Sequence, residues 1–406
     1  MKKILFILPA ILLVVQAFDE TIGGYLSYVR GTLLILMILV FFLYYKLKLD
    51  LVSKAIIVFL TYTFFLSFES TNILKTLLSY TSICVSFSFY IISYSTISNY
   101  SQFYRFKVLF WTMPFIYIFS AVIFSFFNLS NPIYGEYQIV NMGPGLHHNT
   151  IYTGILIISI YFVLRKYSED KLRDTILITT MAILILLSYR RTAIILLMVS
   201  CIIFITMSKK QNLFKYVIPG MILLITTYPL YNEYVTNYFK ARGTRANFEY
   251  GIQSETRFKE VTLITERILN ANELKYFFFG MEFLNSEGTY YSSRFPVLSS
   301  RPLHSDYAVV LHGSGFVGIT LYFFLLISIL CKTIQCVKFC GLKNDLSIMT
   351  TILTSILILV TFSGSILSIT FRTTLFLFLG SLMRIVDQTI LTARHKQKNT
   401  RSVVKK

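Results

Sequence analysis

Runs of apolar residues recur along this 406-residue chain, and their length constrains the fold more than any other feature. They are about 17–22 residues long, which an α-helix needs to cross the roughly 30 Å hydrocarbon core of a bilayer. Only 14% of the residues are charged, well below the roughly 25% of soluble domains. The chain is therefore predicted to be an all-α, polytopic membrane protein.

The apolar runs predict about twelve transmembrane helices, with one large, partly helical outer loop between the ninth and the tenth. The predicted spans are residues 4–18, 29–45, 54–68, 73–95, 107–127, 149–164, 175–190, 191–207, 216–231, 304–331, 346–362 and 367–386. This divides the chain into helices one to nine (1–231), the loop (232–303), helices ten to twelve (304–390) and a basic cytoplasmic tail (391–406).

Two of these spans follow each other with almost no connecting segment. Residues 175–207 are apolar except for Ser188-Tyr-Arg-Arg-Thr192. One straight helix of that length would run about 50 Å, too long for the hydrocarbon core. Both flanking segments are basic and should face the cytosol, so an even number of spans must separate them. The sequence predicts a helical hairpin with Arg190 and Arg191 at the outer surface.

The distribution of charge sets the orientation of the chain. With both termini in the cytosol, the inner segments hold 24 Lys and Arg against 6 Asp and Glu, and the outer segments hold 14 against 13. This is the positive-inside bias of membrane proteins, and it explains the net charge of +19 without a nucleic-acid partner. We expect the first helix to remain uncleaved. Cleavage after Ala17, as in a signal peptide, is the alternative and leaves the remaining topology unchanged.

No cofactor or metal site is predicted. The five cysteines lie in predicted spans or on the inner, reducing side, where disulfides are rare. The spacing of Cys331, Cys336 and Cys340 matches no common metal-binding pattern. The sequence also lacks a phosphate-binding loop and a dinucleotide motif, which argues against an ATP-driven transporter.

The first long outer segment contains Gly143-Pro-Gly-Leu-His-His-Asn-Thr150. Glycine and proline end helices there, and the sixth span is predicted to begin at about Asn149. This places His147 and His148 at the start of that span. They are either hydrogen-bonded polar residues of a helix start or residues that contact the headgroup of a substrate.

The large loop contains a helical pattern over residues 256–270. Its apolar stripe consists of Phe258, Val261, Ile264, Ile268 and Leu269. Arg257 points along this stripe, whereas Lys259, Glu260 and Arg267 lie largely off it. Arg257 is therefore either a snorkelling residue of an interfacial helix or a residue directed at a site in the protein.

His304 follows Arg301-Pro302 at the predicted start of the tenth span. The pKa of a histidine is ordinarily near neutral, so a histidine at the membrane surface is a candidate proton acceptor. The alternative is a polar residue that merely begins a helix. Asp306 lies two positions further on and would not face His304 within a helix. His312 is predicted to be a packed polar residue.

Four arginines are candidates for binding an anionic headgroup. A guanidinium group binds phosphate oxygens bidentately and keeps its charge at any working pH. Arginines near the hydrocarbon boundary are costly to bury and are therefore often functional. The candidates are Arg190, Arg191, Arg257 and Arg301.

Three stretches together resemble the O-antigen ligase/polymerase superfamily, over roughly residues 145–335. Ser188-Tyr-Arg-Arg-Thr192 resembles its Ser-x-Arg-Thr turn and aligns Arg191 with the family arginine. Glu255-Thr-Arg257 with Phe279-Gly280 resembles its loop Ser-x-x-Arg and Phe-Gly-x-Gly patterns. Leu303-His-Ser-Asp-Tyr307 with Gly313 to Gly318 resembles its His-Asn-x-Tyr and following glycine pattern. Ser305 in place of asparagine, and Gly280-Met-Glu in place of the glycine pair, are departures.

The resemblance implies a metal-independent glycosyltransferase of the bacterial cytoplasmic (inner) membrane that takes glycans from a polyprenyl diphosphate carrier on the outer face. Arg191 and Arg257 would stabilise the charge on the diphosphate, His304 would take the proton of the acceptor hydroxyl, and Arg301 would help to position the substrate. No nucleotide is needed, since the lipid diphosphate is already activated. The implied partners are the lipid-linked oligosaccharide, membrane lipids and other polysaccharide-assembly proteins.

Three functions are compatible with this pattern. The first is an O-antigen polymerase that joins repeat units on the lipid carrier, and the weak fidelity of the motifs favours it. The second is a ligase that passes finished glycan to the lipid A core of lipopolysaccharide or to protein. The third is a flippase for lipid-linked oligosaccharide, which predicts charges in mid-span. Apart from Arg384 and Asp387, few buried charges are expected.

Overall fold

The computed structural model describes residues 2–19, 25–129, 141–147, 150–188, 190–208, 256–271, 273–284, 303 and 305–404, with the side chains of 2, 144, 147, 191, 256–259 and 393–404 left undescribed. Of the described residues, 85% are helical and none lies in a strand, which confirms the all-α prediction. The helices are α1 Lys2–Asp19, α2 Tyr25–Tyr44, α3 Leu51–Ser67, α4 Ile73–Thr96, α5 Tyr100–Phe126, α6 Pro144–His147, α7 Ile151–Leu164, α8 Lys171–Leu187, α9 Arg191–Met207, α10 Thr256–Asn270, α11 Leu274–Phe279, α12 Asp306–Cys340, α13 Asp345–Ser363 and α14 Ile369–Val404.

Six helices in the described part of the chain, α2, α4, α5, α12, α13 and the Ile369–Thr392 part of α14, are long and apolar enough to cross a membrane. The prediction of a membrane protein is thereby supported. Every predicted span except 216–231, which lies outside the described residues, coincides with a helix. The total of twelve spans stays a prediction, as does the layout of the loops. The last helix runs on through most of the predicted basic tail, to Val404.

The long apolar stretch at 175–207 is broken where the sequence predicted. Helix α8 ends at Leu187 and α9 begins at Arg191, with Arg190 in extended conformation immediately before it. The carbonyl oxygens at the end of α8 accept the N–H of Ser188, whose hydroxyl also donates to Ile185 O at 2.6 Å. The break therefore has a local cause in the polar residues between the two apolar runs.

Helices α4 and α14 pack closely along the centre of the bundle. The rings of Phe87 and Phe376 lie 4.5 Å apart. A Cβ atom added at Gly380 would overlap the Ser93 hydroxyl and the Tyr90 carbonyl, so the two backbones approach closely only because residue 380 is glycine. Small residues at such contacts are typical of helices that associate within a membrane.

Charged residues mark the two ends of the bundle. At the first, which we call the Asp50 end, Lys332 Nζ lies 2.6 Å from Asp50 Oδ2 and 2.6 Å from Asp387 Oδ2. At the second, the Asp306 end, the side chains of Asp306 and Arg372 form an ion pair. The positive-inside bias predicts that the Asp50 end faces the cytosol and the Asp306 end faces outward.

More charged side chains are buried than the sequence analysis expected, and that expectation was wrong. Arg30, Asp306, Lys332 and Arg372 are all buried. Burial of a single charge is strongly unfavourable, but a partner of opposite charge and further hydrogen bonds offset most of the penalty. The partners of Asp306 and Lys332 lie far away in sequence, so the hydropathy pattern does not reveal them.

Candidate functional site

The start of α12 is built around the fully buried carboxylate of Asp306. The backbone N–H groups of Ser365 and Ile366 donate to Oδ1 at 2.6 and 2.8 Å. Arg372 Nη2 donates to Oδ2, and Tyr322 OH donates to the same oxygen at 3.3 Å. Four donors to one carboxylate hold it in a single orientation. Asp306 therefore joins the start of α12 to the α13–α14 turn and to α14.

Arg372 is the partner of opposite charge and has no exposed surface. Its Nε donates to Ser365 Oγ at 3.0 Å, so the guanidinium group bonds to the same turn that Asp306 does. Its Nη1 has no hydrogen-bond partner among the described residues. The pair and the turn form one closed network, which we call the Asp306–Arg372 network.

The loop helix α10 holds the residue just before Asp306. The N–H of Ser305 donates to Glu260 Oε2 at 3.3 Å, and Glu260 is 2% exposed. Leu303, two residues earlier, is buried as well. The two residues directly after position 304 are thus each anchored, Ser305 by the loop helix and Asp306 by the Asp306–Arg372 network. His304 itself lies outside the described residues.

The buried face of α10 differs from the predicted stripe. Ile264 and Ile268 are buried as predicted, but Leu269 is 59% exposed and Leu263 is buried instead. Glu260, predicted to lie off the stripe, belongs to the buried face. The helix is oriented so that the carboxylate of Glu260 accepts from the Ser305 N–H. Apolar periodicity cannot predict such a polar contact.

Two of the glycine motifs meet in the structure. A Cβ added at Gly280 would lie 2.5 Å from Ser314 N, and one at Gly315 would lie 2.5 Å from Gly280 N. Gly315 has φ +59°, a conformation that interrupts α12 and that L-residues rarely adopt. The loop after α11 therefore packs directly on the backbone of α12, and only glycine fits at both positions.

The interruption of α12 leaves carbonyl groups that bond outside the helix. Met281 N donates to His312 O at 2.7 Å, and Tyr62 OH donates to Ser314 O at 2.9 Å. His312 is 1% exposed, so the prediction of a packed polar residue is confirmed. These bonds tie α11 and α3 to the break in α12.

Glu282 stands where the resembling family has its second glycine, and it has a defined contact. Its Oε1 accepts from Ser70 Oγ at 3.1 Å and from Thr71 N at 2.9 Å. Phe283, the next residue, is buried, and its carbonyl accepts from Thr76 Oγ1 at 3.3 Å. The departure from the family pattern thus joins the large loop to the connection between α3 and α4.

The arginines of the α8–α9 turn lie at the Asp306 end. Tyr152 OH lies 3.0 Å from Ser363 Oγ, and a Cβ added at Gly154 would lie 2.7 Å from Ile185 Cδ1 near the end of α8. Arg190, which immediately precedes α9, is half-buried, and its Nε has no hydrogen-bond partner within the described chain. Arg191 is the first residue of α9, and the description there stops at the backbone.

The remaining predicted site residues divide into two groups. His147 ends the short helix α6, where Gly145 packs against the Gln16 backbone, and Arg257 lies in the first turn of α10. For both, the side chain is outside the description. His148, Arg301 and His304 lie outside the described residues altogether. The structure thus brings the segments that carry His147, Arg190 and Arg257 to one end of the bundle.

Sequence reasoning missed three residues of this site: Glu260, Asp306 and Arg372. A usable signal existed for Arg372, because an arginine inside an apolar span is a candidate functional residue by default. Asp306 was considered only as a partner of His304, and its actual partner lies on another helix. For Glu260, spacing along the helix indicated the wrong side.

Comparison with protein-family models finds no match, and comparison with curated proteins finds no significant similarity. The resemblance to the O-antigen ligase/polymerase superfamily therefore rests on the quoted motifs, and it stays a prediction.

Proposed function

We propose that this protein is a membrane glycosyltransferase that polymerises polyprenyl-diphosphate-linked oligosaccharide repeat units on the outer face of the bacterial cytoplasmic membrane. Donor and acceptor would both be carried by the lipid. The leaving group would be the polyprenyl diphosphate, and the acceptor hydroxyl would lose its proton as the new glycosidic bond forms.

The observation that carries the proposal is the anchoring of the chain around position 304. Glu260 and the Asp306–Arg372 network hold the residues that follow it, and Gly280 packs the large loop onto the same helix. A proton acceptor needs a fixed position relative to its substrate. Two anchored residues directly after a membrane-surface histidine favour such a position, whereas a polar residue that only begins a helix does not require them.

The proposed roles follow the resemblance. His304 accepts the proton of the attacking hydroxyl, while Arg191 and Arg257 stabilise the charge that develops on the diphosphate. Arg190, Arg301, His147 and His148 line the headgroup site. The α8–α9 turn, which carries Arg190 and Arg191, and the first turn of α10, which carries Arg257, lie at the Asp306 end of the bundle. This placement supports the assignment.

Transport is the competing class, since several charges are buried. The two ion-paired groups among them, however, lie at opposite ends of the bundle. Asp306 and Lys332 lie on the same helix, 26 residues apart, which corresponds to at most about 40 Å. Each group is internally paired. Charges that serve a transport pathway lie near the middle of the membrane, and this arrangement does not match that expectation.

The proposal is tested by the length profile of surface glycan. Cells lacking the protein are complemented with the wild type, with His304→Ala, or with His395→Ala as a matched control in the C-terminal part of α14. We expect single repeat units on the lipopolysaccharide core in the deletion strain. The wild type and His395→Ala should restore long chains, and His304→Ala should not, although it remains in the membrane.

Other outcomes contradict the proposal in distinct ways. Long chains that accumulate on the lipid carrier would identify a ligase. Loss of all lipid-linked glycan on the outer face would identify a transporter. Long chains restored by His304→Ala would refute the proposed site.

A further inference from the structure

We infer that Asp306 and Arg372 are positioning residues for the proposed transfer reaction: they fix the start of α12 and thereby the place of His304. The inference rests on the proposed function and extends it to Asp306, which occupies the variable position of the His-Asn-x-Tyr motif, and to Arg372, which lies outside the quoted motifs. Neither residue is expected to touch the substrate.

Chain geometry restricts how far the effect has to travel. Two residues of fully extended chain span at most about 7 Å, so the Cα atom of His304 lies within that distance of the Cα atom of Asp306. The side chain of Asp306 is fixed by four donors from three different places in the chain: Tyr322, the Ser365–Ile366 turn and Arg372. A displacement of this carboxylate therefore displaces the start of α12, to which position 304 is joined through Ser305.

The energetics of the pair point in the same direction. A buried ion pair generally contributes little net stability compared with apolar residues of the same volume, because desolvation of both charges offsets their attraction. Stability alone is therefore a weak reason for a fully buried aspartate and arginine at this place. Such a network instead holds the surrounding backbone in one conformation. Catalysis is sensitive to such positioning, because a displacement of about 1 Å can lower the rate about 100-fold.

The same molecule contains a control for this argument. Asp387 is a partly buried aspartate of α14 that pairs with Lys332 of α12. Its ion pair joins the same two helices as the Asp306–Arg372 pair, but at the Asp50 end. Loss of its charge also removes an ion pair between the two helices. Lys332 keeps Asp50 as a partner in Asp387→Asn, so this variant loses one ion pair without leaving a cation unpaired. A purely structural role of Asp306 predicts less folded protein with an unchanged kcat, whereas a positioning role predicts a lower kcat of the folded protein.

The test uses the purified full-length protein, with the lipid fraction extracted from the deletion strain as donor and acceptor. We compare Asp306→Asn, Arg372→Lys and the control Asp387→Asn with the wild type and measure kcat and KM separately. We expect Asp306→Asn to lower kcat about 10- to 100-fold with KM within about twofold of the wild type. Arg372→Lys keeps the positive charge but loses the planar fork of the guanidinium group. Its kcat should therefore lie between that of the wild type and that of Asp306→Asn. Asp387→Asn should keep the kcat of the wild type.

Each alternative outcome overturns a specific statement. A wild-type kcat in both Asp306→Asn and Arg372→Lys would refute the positioning role. Equal losses of kcat in Asp306→Asn and Asp387→Asn, or the absence of folded Asp306→Asn and Arg372→Lys from the membrane, would reduce the pair to a structural one. If His304→Ala turns over as fast as the wild type, or the wild type does not turn over, the proposed function itself fails and the inference fails with it.

Discussion

Arg372 donates to the carboxylate of Asp306, 66 residues earlier in the chain, and both side chains are fully buried. Arg372→Met leaves this carboxylate without a cation, and we expect it to destabilise the protein by about 3–5 kcal/mol. Asp306→Asn combined with Arg372→Met should be destabilised by less than the sum of the single changes, since neither charge remains buried alone. The free energy of unfolding in detergent is measured for the wild type, Asp306→Asn, Arg372→Met and the double variant. Additive effects would show that the two residues do not interact.

The contact between Gly280 and α12 predicts a large effect of one added methyl group. Gly280 and Gly341 have nearly the same φ, +82° and +86°, but a Cβ at Gly341 would meet nothing within 4 Å. Gly341→Ala should therefore show only the cost of the backbone conformation, about 1–3 kcal/mol. Gly280→Ala adds a collision with the α12 backbone, which cannot move aside as a flexible side chain would. We expect a clearly lower melting temperature for Gly280→Ala than for Gly341→Ala, and equal values would contradict the close packing.

The Asp50 end predicts a dependence of stability on pH. Burial by itself would raise the pKa of Asp50, but the charge of Lys332 and hydrogen bonds from Lys332 and Ser53 outweigh it, so the pKa lies below its ordinary value. Three further titratable groups belong to this cluster. Asp387 pairs with Lys332, Tyr90 donates a 2.9 Å hydrogen bond to Asp50, and Tyr94 donates to Asp387.

A carboxyl group with a lowered pKa in the folded state stabilises the fold at every pH above its pKa in the unfolded chain. That stabilisation is lost as the pH falls through the folded pKa. At pH 7, Asp50→Asn should therefore have a free energy of unfolding about 1–3 kcal/mol below that of the wild type. Its melting temperature should be lower accordingly. The difference should shrink below about pH 4. A difference that does not shrink at any pH below about 4 would show that the charge of Asp50 is not responsible.

Arg257 tests whether bidentate contact with phosphate matters for the proposed reaction. Lysine keeps the positive charge but cannot present the planar fork of guanidinium. We expect Arg257→Lys to lose at least about 90% of the polymerising activity, similar to Arg257→Ala. Arg173→Lys, at an exposed arginine near the start of α8, is the matched control and should keep full activity. Full activity of Arg257→Lys would exclude a bidentate phosphate contact.

Local sequence signals predicted the elements of this structure well. The break between α8 and α9 was predictable because Ser188-Tyr-Arg-Arg-Thr192 interrupts two apolar runs whose combined length exceeds the membrane. The position of α10 was predictable from apolar residues at helical spacing, since Ile264 and Ile268 are buried as expected. Both signals depend only on residues that are close together in the chain.

The sequence by itself determined that the chain is helical, that it is apolar enough for a membrane, and which stretches of it form the long helices. Only the tertiary structure decided that Asp306 pairs with Arg372, that Glu260 bonds to Ser305, and that Gly280 packs against Gly315. The physical reason is that hydropathy reports the transfer of single residues out of water, whereas these contacts join groups on different helices. Their partners become neighbours only when the bundle has formed.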